Sequence, residues 1–230
     1  MHVALVEPLT VAWHAVTRSP VATARTALVV GGGPIGLAVV QALQAHGVKC
    51  IVVAEVSAQR RRFAETLGAT DVLDPRTEDI EARVRLLSND AGVDIAFECS
   101  GVQAGFDSAL KGVRARGTVT VVSLWEEKPV IDAWELVGSE KHVIGSAIFD
   151  GDDFEAVIDA IASGMWALTN ACFLFHVSFG SIADIAGTGK LKPQSMITSK
   201  IRMEDIVEKG FEALINERDK HVKILIDVSA

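Results

Sequence analysis

Residues 26–55, TALVVGGGPIGLAVVQALQAHGVKCIVVAE, constrain the fold of this chain more than any other stretch. Residues 27–30 are short, apolar and β-rich, and a glycine loop follows at once. Gly31, Gly33 and Gly36 fall in the spacing Gly-x-Gly-x-x-Gly, with Pro34 and Ile35 between the last two. Apolar residues then recur at helical spacing to His46, where Gly47 stops the run. A second β-rich run, residues 50–53, leads to an acid, Glu55. Strand, glycine loop, helix, strand and acid stand in the order that a dinucleotide site requires. Gly31 permits the turn out of the strand, Gly33 lets the backbone approach a pyrophosphate, and Gly36 lets helix pack on strand. The helix N-terminus offers free N–H groups and partial positive charge to the phosphates. The Glu55 carboxylate is placed to accept the adenosine ribose hydroxyls and to repel a 2′-phosphate, so NAD is expected rather than NADP. Glycines also make ordinary turns, and methyltransferases share this opening. The flanking strands and the acid favour the dinucleotide.

The rest of the chain repeats the alternation. Ser57 is placed to cap a helix that begins with the basic run 60–62 and ends at Gly68. Arg60 is placed either to reach the adenosine ribose or to lie on a solvated helix face. A short strand and turn are expected at 70–75 and further strands at 93–99, 117–122 and 142–147, with helices at 78–87, from beyond Gly101 to about Gly112, and at 153–162. This pattern means a doubly wound, parallel α/β sheet, in which ligands bind beyond the carboxyl ends of the strands. Leu5, Leu9, Ala12 and Val16 recur at helical spacing before the first strand. A helix and a closing strand at 222–226 are expected in the tail, 202–228.

Composition narrows the partners. Of 230 residues, 49% are apolar and 23% charged, which fits a globular, non-membrane protein, and the net charge of −8 opposes nucleic acid or an anionic membrane as partner. Cys50, Cys99 and Cys172 have no metal-site spacing and read as reduced thiols of a cytoplasmic protein. His14 reads as a structural histidine, and His46, at a helix C-terminus, as complementing the dipole.

The runs ALVEPLTVAWHAV, VVGGGPIGL, FECSG, ITSKI and KGFEALINERDKHVKILID together resemble the zinc-type medium-chain alcohol dehydrogenases, with the strongest likeness to the fungal 2,3-butanediol and sorbitol-like polyol branch. The resemblance implies an NAD-dependent oxidoreductase that moves hydride between a secondary alcohol or diol and NAD. It implies a small alcohol, diol or ketone as substrate and an oligomer of identical chains. By the same resemblance Gly31, Gly33, Pro34, Ile35 and Gly36 line the pyrophosphate, and Glu55 takes the ribose with Arg60 beside it. Cys99 and Ser100 flank the adenosine ribose. Val122, Ser123 and Leu124 face the nicotinamide, and Lys223 reaches the pyrophosphate. Glu7 stands where this branch places a glutamate at the catalytic zinc. No catalytic residue is assigned.

Two departures accompany the likeness. Family members carry a GroES-like β domain that supplies the other zinc ligands, and this chain offers Glu7 alone, so zinc is implied by the family but not expected to be held here. The domain reading is therefore a remnant of the catalytic domain with a leading helix at 1–22 and a dinucleotide-binding Rossmann domain at 23–164. An atypical insert follows at 165–189, and a segment returning to the catalytic domain at 190–230. The apolar faces near both termini are expected to be exposed or repacked. The insert reads as a retained intron, with a lineage-specific loop or lid as the rival; genomic DNA and transcripts distinguish them. The alternatives to the dehydrogenase reading are a non-catalytic dinucleotide-binding or interaction module and a zinc-independent medium-chain reductase.

Overall fold

The computed structural model describes residues 2–166, 191 and 193–228. Six strands form one parallel sheet: β1 (Thr26–Val30), β2 (Cys50–Ala54), β3 (Asp71–Leu73), β4 (Val93–Glu98), β5 (Val113–Val121) and β6 (His142–Gly145). Their order is β3-β2-β1-β4-β5-β6, so the winding direction reverses between β1 and β4. Val30 pairs with Ala54 on one side and with Glu98 on the other. The last residues of three strands are thus level, and the loops that follow them share one edge.

Both faces of the sheet are covered at its centre, which is why β1 and β2 read as near-continuous apolar runs rather than alternating. Val29, Ile51, Val53, Ile95 and Phe97 pack into one core with α1 (Val6–Arg18), α2 (Pro34–Ala45) and α7 (Gly151–Trp166). Leu28, Val52, Ala96 and Val119 pack on the other face with α4 (Ile80–Leu87) and α5 (Gln103–Gly112). Each such Val, Leu, Ile or Phe side chain contributes about 1.5–3 kcal/mol by leaving water. Helix α3 (Ala58–Leu67) follows β2, and the short α6 (Ala133–Gly138) precedes β6.

The expected leading helix is α1, and its apolar face is buried. Leu5, Leu9, Ala12, Trp13 and Val16 pack against α2 and α7. The expectation for the other terminus has the opposite outcome, because Ile226 and Val228 are exposed. His46 stands at the expected helix C-terminus, as the C-cap of α2. Burial lowers its pKa, which favours the neutral ring, and it packs 4.4 Å from Trp13 while Nδ1 meets the Ala42 carbonyl at 2.9 Å. The ring thus serves the last turn of α2 through that contact and through packing on Trp13.

The tail contains a strand that the sequence reading lacks. Strand β7 (Ile197–Arg202) pairs in parallel with β8 (Lys223–Asp227) as a second, two-stranded sheet. The helical run between them is not one α-helix, since Ile206–Glu212 is wound as a π-helix. Helix α7 continues through Gly164 to Trp166. The remainder of the expected insert, 167–189, lies outside the described residues.

Candidate dinucleotide site

The glycine loop stands where the winding reverses. Gly31 follows β1 with φ +99°, a conformation that favours glycine. A Cβ there would come within 3.0 Å of the Cys99 carbonyl carbon and the Ser100 nitrogen, so the ends of β1 and β4 touch through a bare backbone. A Cβ on Gly36 would sit 1.9 Å from the Gly31 carbonyl oxygen, which is how closely α2 approaches the turn. Gly33 is different, because a Cβ there would meet nothing within 4 Å. It is the N-cap of α2, Pro34 opens the helix, and no side chain caps that end. By contrast, Ser57, Asp79 and Asp132 cap α3, α4 and α6 with their own oxygens. The first turn of α2 therefore faces open space without a side-chain acceptor on its cap, as an anion cradle does.

Glu55 closes one side of this space. It is 6% exposed, and its two oxygens accept from the Gly32 N–H at 2.6 Å and the Ser57 N–H at 2.7 Å. The acid expected at the ribose thus also holds the glycine loop and the start of α3. Two arginines brace it from behind. Arg61 donates to the Glu55 and Val56 carbonyls at 2.6 and 2.8 Å, and Arg76 donates to the Val56 carbonyl at 2.8 Å. Both also pair with Asp74, at 3.2 and 2.6 Å. The Arg76 hydrogen bond holds the Asp74 carboxyl well below the usual carboxylate range. Arg60 turns to the Arg218 carbonyl at 2.9 Å, so its guanidinium already has a partner in the tail.

The opposite wall is made by the loops after β4 and β5. Val122 and Ser123 donate their N–H groups to the Glu98 carbonyl at 2.9 and 3.2 Å. Cys99 N–H bonds the Val30 carbonyl at 2.9 Å, and burial, with the Glu98 charge second, pushes its thiol pKa up. Ser100 and Leu124 are exposed, and Ser123 is half-buried. The Glu98 side chain is fully buried and binds both loops. Sequence reasoning passed over it, because a single acid ending a strand carries no motif. Lys223 is half-buried in the second sheet, in register with Ile197.

The described residues do not fit a catalytic zinc. Glu7 is exposed in the first turn of α1 and belongs to no described group of three or more potential ligands, where zinc needs about three. His14, Asp150 and Asp153 do converge, with one ligand atom of each within 4.8 Å of the others. Helix docking explains that cluster. His14 Nδ1 lies 2.6 Å from Asp153 and ties α1 to α7, while Asp153 also accepts the Asp150 N–H at 3.2 Å. Among the described residues, no helix is long and apolar enough to cross a membrane.

Comparison with known proteins agrees with this geometry. Residues 34–163 match the family model described as zinc-binding dehydrogenase. The chain is 35% identical over 227 residues to the (R,R)-butanediol dehydrogenase of Saccharomyces cerevisiae, covering 97% of this chain and 53% of that one. It is also 35% identical, over 223 residues, to the Bacillus subtilis (R,R)-butanediol dehydrogenase, covering 97% of this chain and 56% of the relative. The crystal structure of the 2R,3R-butanediol dehydrogenase from Bacillus subtilis superposes with a TM-score of 0.80 at 32% identity, over 98% of this chain and 57% of that one. The chain thus spans about half the length of the curated relatives that it matches. Strand order, bare glycine cradle and sequence converge, and the chain belongs to the zinc-binding dehydrogenase family.

Proposed function

We propose that this chain is the NAD-binding part of a secondary-alcohol or diol dehydrogenase of the butanediol type. The observation that carries the reading is the open space over Gly33 at the N-terminus of α2, bounded by Glu55. The pyrophosphate lies against the backbone of Gly31, Gly33, Pro34, Ile35 and Gly36, where helix N–H groups face anionic oxygens. Glu55 has lone pairs beyond the two backbone N–H groups that it holds, and these accept the adenosine ribose hydroxyls. A 2′-phosphate at the ribose would meet the like charge of the Glu55 carboxylate. NAD is therefore favoured over NADP. Cys99 and Ser100 border the adenosine side, Val122, Ser123 and Leu124 the nicotinamide side, and Lys223 serves the pyrophosphate. When bound, the nicotinamide exchanges a hydride with the carbinol carbon of a substrate.

Glu7 lies outside the described three-ligand cluster, His14 with Asp150 and Asp153, which docks α1 on α7, so no step of this reading runs through zinc, and the proposal is limited to cofactor binding by this chain. Calorimetry with NADH and NADPH tests the proposal. NADH is expected to bind at least tenfold more tightly, about 1.4 kcal/mol, and Glu55→Ser to narrow that ratio. Equal affinity for the two, or a ratio indifferent to Glu55→Ser, removes the assignment of Glu55. Production of NADH from 2,3-butanediol by the purified chain removes the binding-only part.

A further inference from the structure

Glu98 ends β4, is 0% exposed, and accepts donors from two different loops. Oε1 accepts from the Ser100 N–H at 2.7 Å, the Ser100 hydroxyl at 2.5 Å and the Gly101 N–H at 3.0 Å. Oε2 accepts from the Ser123 hydroxyl. Its backbone carbonyl takes the N–H groups of Val122 and Ser123 as well. The space about it is tight. A Cβ on Gly105, in the first turn of α5, would lie 3.3 Å from Oε1 and 2.1 Å from the Ser100 hydroxyl oxygen. A buried acid with so many donors is costly to leave unpaired, so the two loops cannot separate without exposing or orphaning it. Core packing alone does not need such a group, since neighbouring Phe97 and Ala96 are buried without polar atoms.

We infer that Glu98 is a positioning residue that latches the loop after β4 to the loop after β5, fixing the nicotinamide side of the cleft relative to the adenosine side. The inference rests on the dinucleotide reading of the preceding subsection and adds to it a division of labour. Glu55 secures the glycine loop and α3, whereas Glu98 secures the opposite wall. Its Ser100 arm stays on the adenosine side, and its Ser123 arm reaches across to the loop beside Leu124.

The two arms separate experimentally, with NADH and ADP-ribose as probes, because ADP-ribose has the pyrophosphate and adenosine but no nicotinamide. Ser123→Ala cuts the crossing arm and leaves the other intact. It is expected to weaken NADH about tenfold and to leave ADP-ribose within about twofold, since one hydrogen bond to a charged group is lost. Glu98→Ala is expected to weaken NADH further, and Glu98→Gln to recover much of the loss, because its amide retains one acceptor and can donate to the Ser123 hydroxyl. Hydrogen exchange without ligand gives an independent readout. Glu98→Ala is expected to speed exchange at the amides of Gly101 and Ser123 together, and Ser123→Ala at residues 122–124 alone. Equal weakening of both probes by Ser123→Ala, no weakening of either, or exchange unchanged at residues 122–124 overturns the latch. Wild-type chain that binds neither probe overturns the dinucleotide reading instead, and the exchange data still decide the latch. If Glu98→Ala does not fold, the Ser123→Ala results carry the decision.

Discussion

At the scale of single residues, two glycines of one motif do different things, and substitution tells them apart. Gly36 touches the Gly31 carbonyl, and a methyl group there would sit 1.9 Å from its oxygen. Gly36→Ala is therefore expected to cost about 1–3 kcal/mol in chemical denaturation through forced backbone movement. Gly33 has ordinary backbone angles, φ −72° and ψ −178°, and its missing side chain points into open space. Gly33→Ala is expected to change stability by under about 1 kcal/mol, the scale of an N-cap change. Its methyl group would occupy the volume assigned to the pyrophosphate, so NADH affinity is expected to fall at least tenfold, about 1.4 kcal/mol. Calorimetry and denaturation on the same two proteins check both halves. A stable Gly33→Ala chain with undiminished affinity would show that the phosphates lie elsewhere.

At the scale of elements, helix α1 is joined to the body by apolar burial and by His14 on Asp153, and His46 adds the contact with Trp13. Desolvation lowers the His46 pKa, so below its unfolded value of about 6.5 the unfolded chain binds more protons than the folded one. Stability then rises with pH through that range and falls as pH drops from 7 toward 5. The slope due to one group cannot exceed about 1.4 kcal/mol per pH unit. His46→Gln, which keeps a donor for the Ala42 carbonyl and does not titrate, is expected to flatten the profile in urea denaturation between pH 5 and 7 (the standard window for a histidine). A profile equally steep in the variant would assign the dependence to another group.

The same scale explains what could be read in advance. Strands β1, β2 and β4 and helices α2 and α3 are written in consecutive residues: β-rich runs, a glycine spacing, a serine cap, a glycine stop. The cradle was legible because its parts are neighbours in the chain. Strand β7 was not, because ITSKIR has little pattern of its own and gains its ladder from β8, with Ile197 opposite Lys223. Glu98 was not, because its donors come from Ser100, Gly101 and Ser123, and only the fold brings the last of these to it. The bracing of Glu55 by Arg61 and Arg76 was hidden for the same reason, since the basic run 60–62 looks like any solvated helix face.

At the scale of the molecule, helices cover both faces of the six-stranded sheet, and among the exposed large apolar side chains are two groups close in sequence. One comprises Leu124, Val130, Trp134 and Val137 near β6. The other comprises Val207, Phe211, Ile215 and Val228 around the second sheet. Of these, Leu124 lies on a loop assigned to the cofactor cleft. The central claim concerns that cleft: NAD lies across the carboxyl edge of the sheet with its pyrophosphate on the open end of α2. Backbone amide resonances followed during an NADH titration test it most directly. The account predicts concerted shifts at Gly31–Gly33, Ile35 and Gly36, at Glu55 and Ser57, and at Ser123 and Leu124. Saturating NADH that leaves the 31–36 amides unmoved, or moves only residues away from this edge, would contradict it.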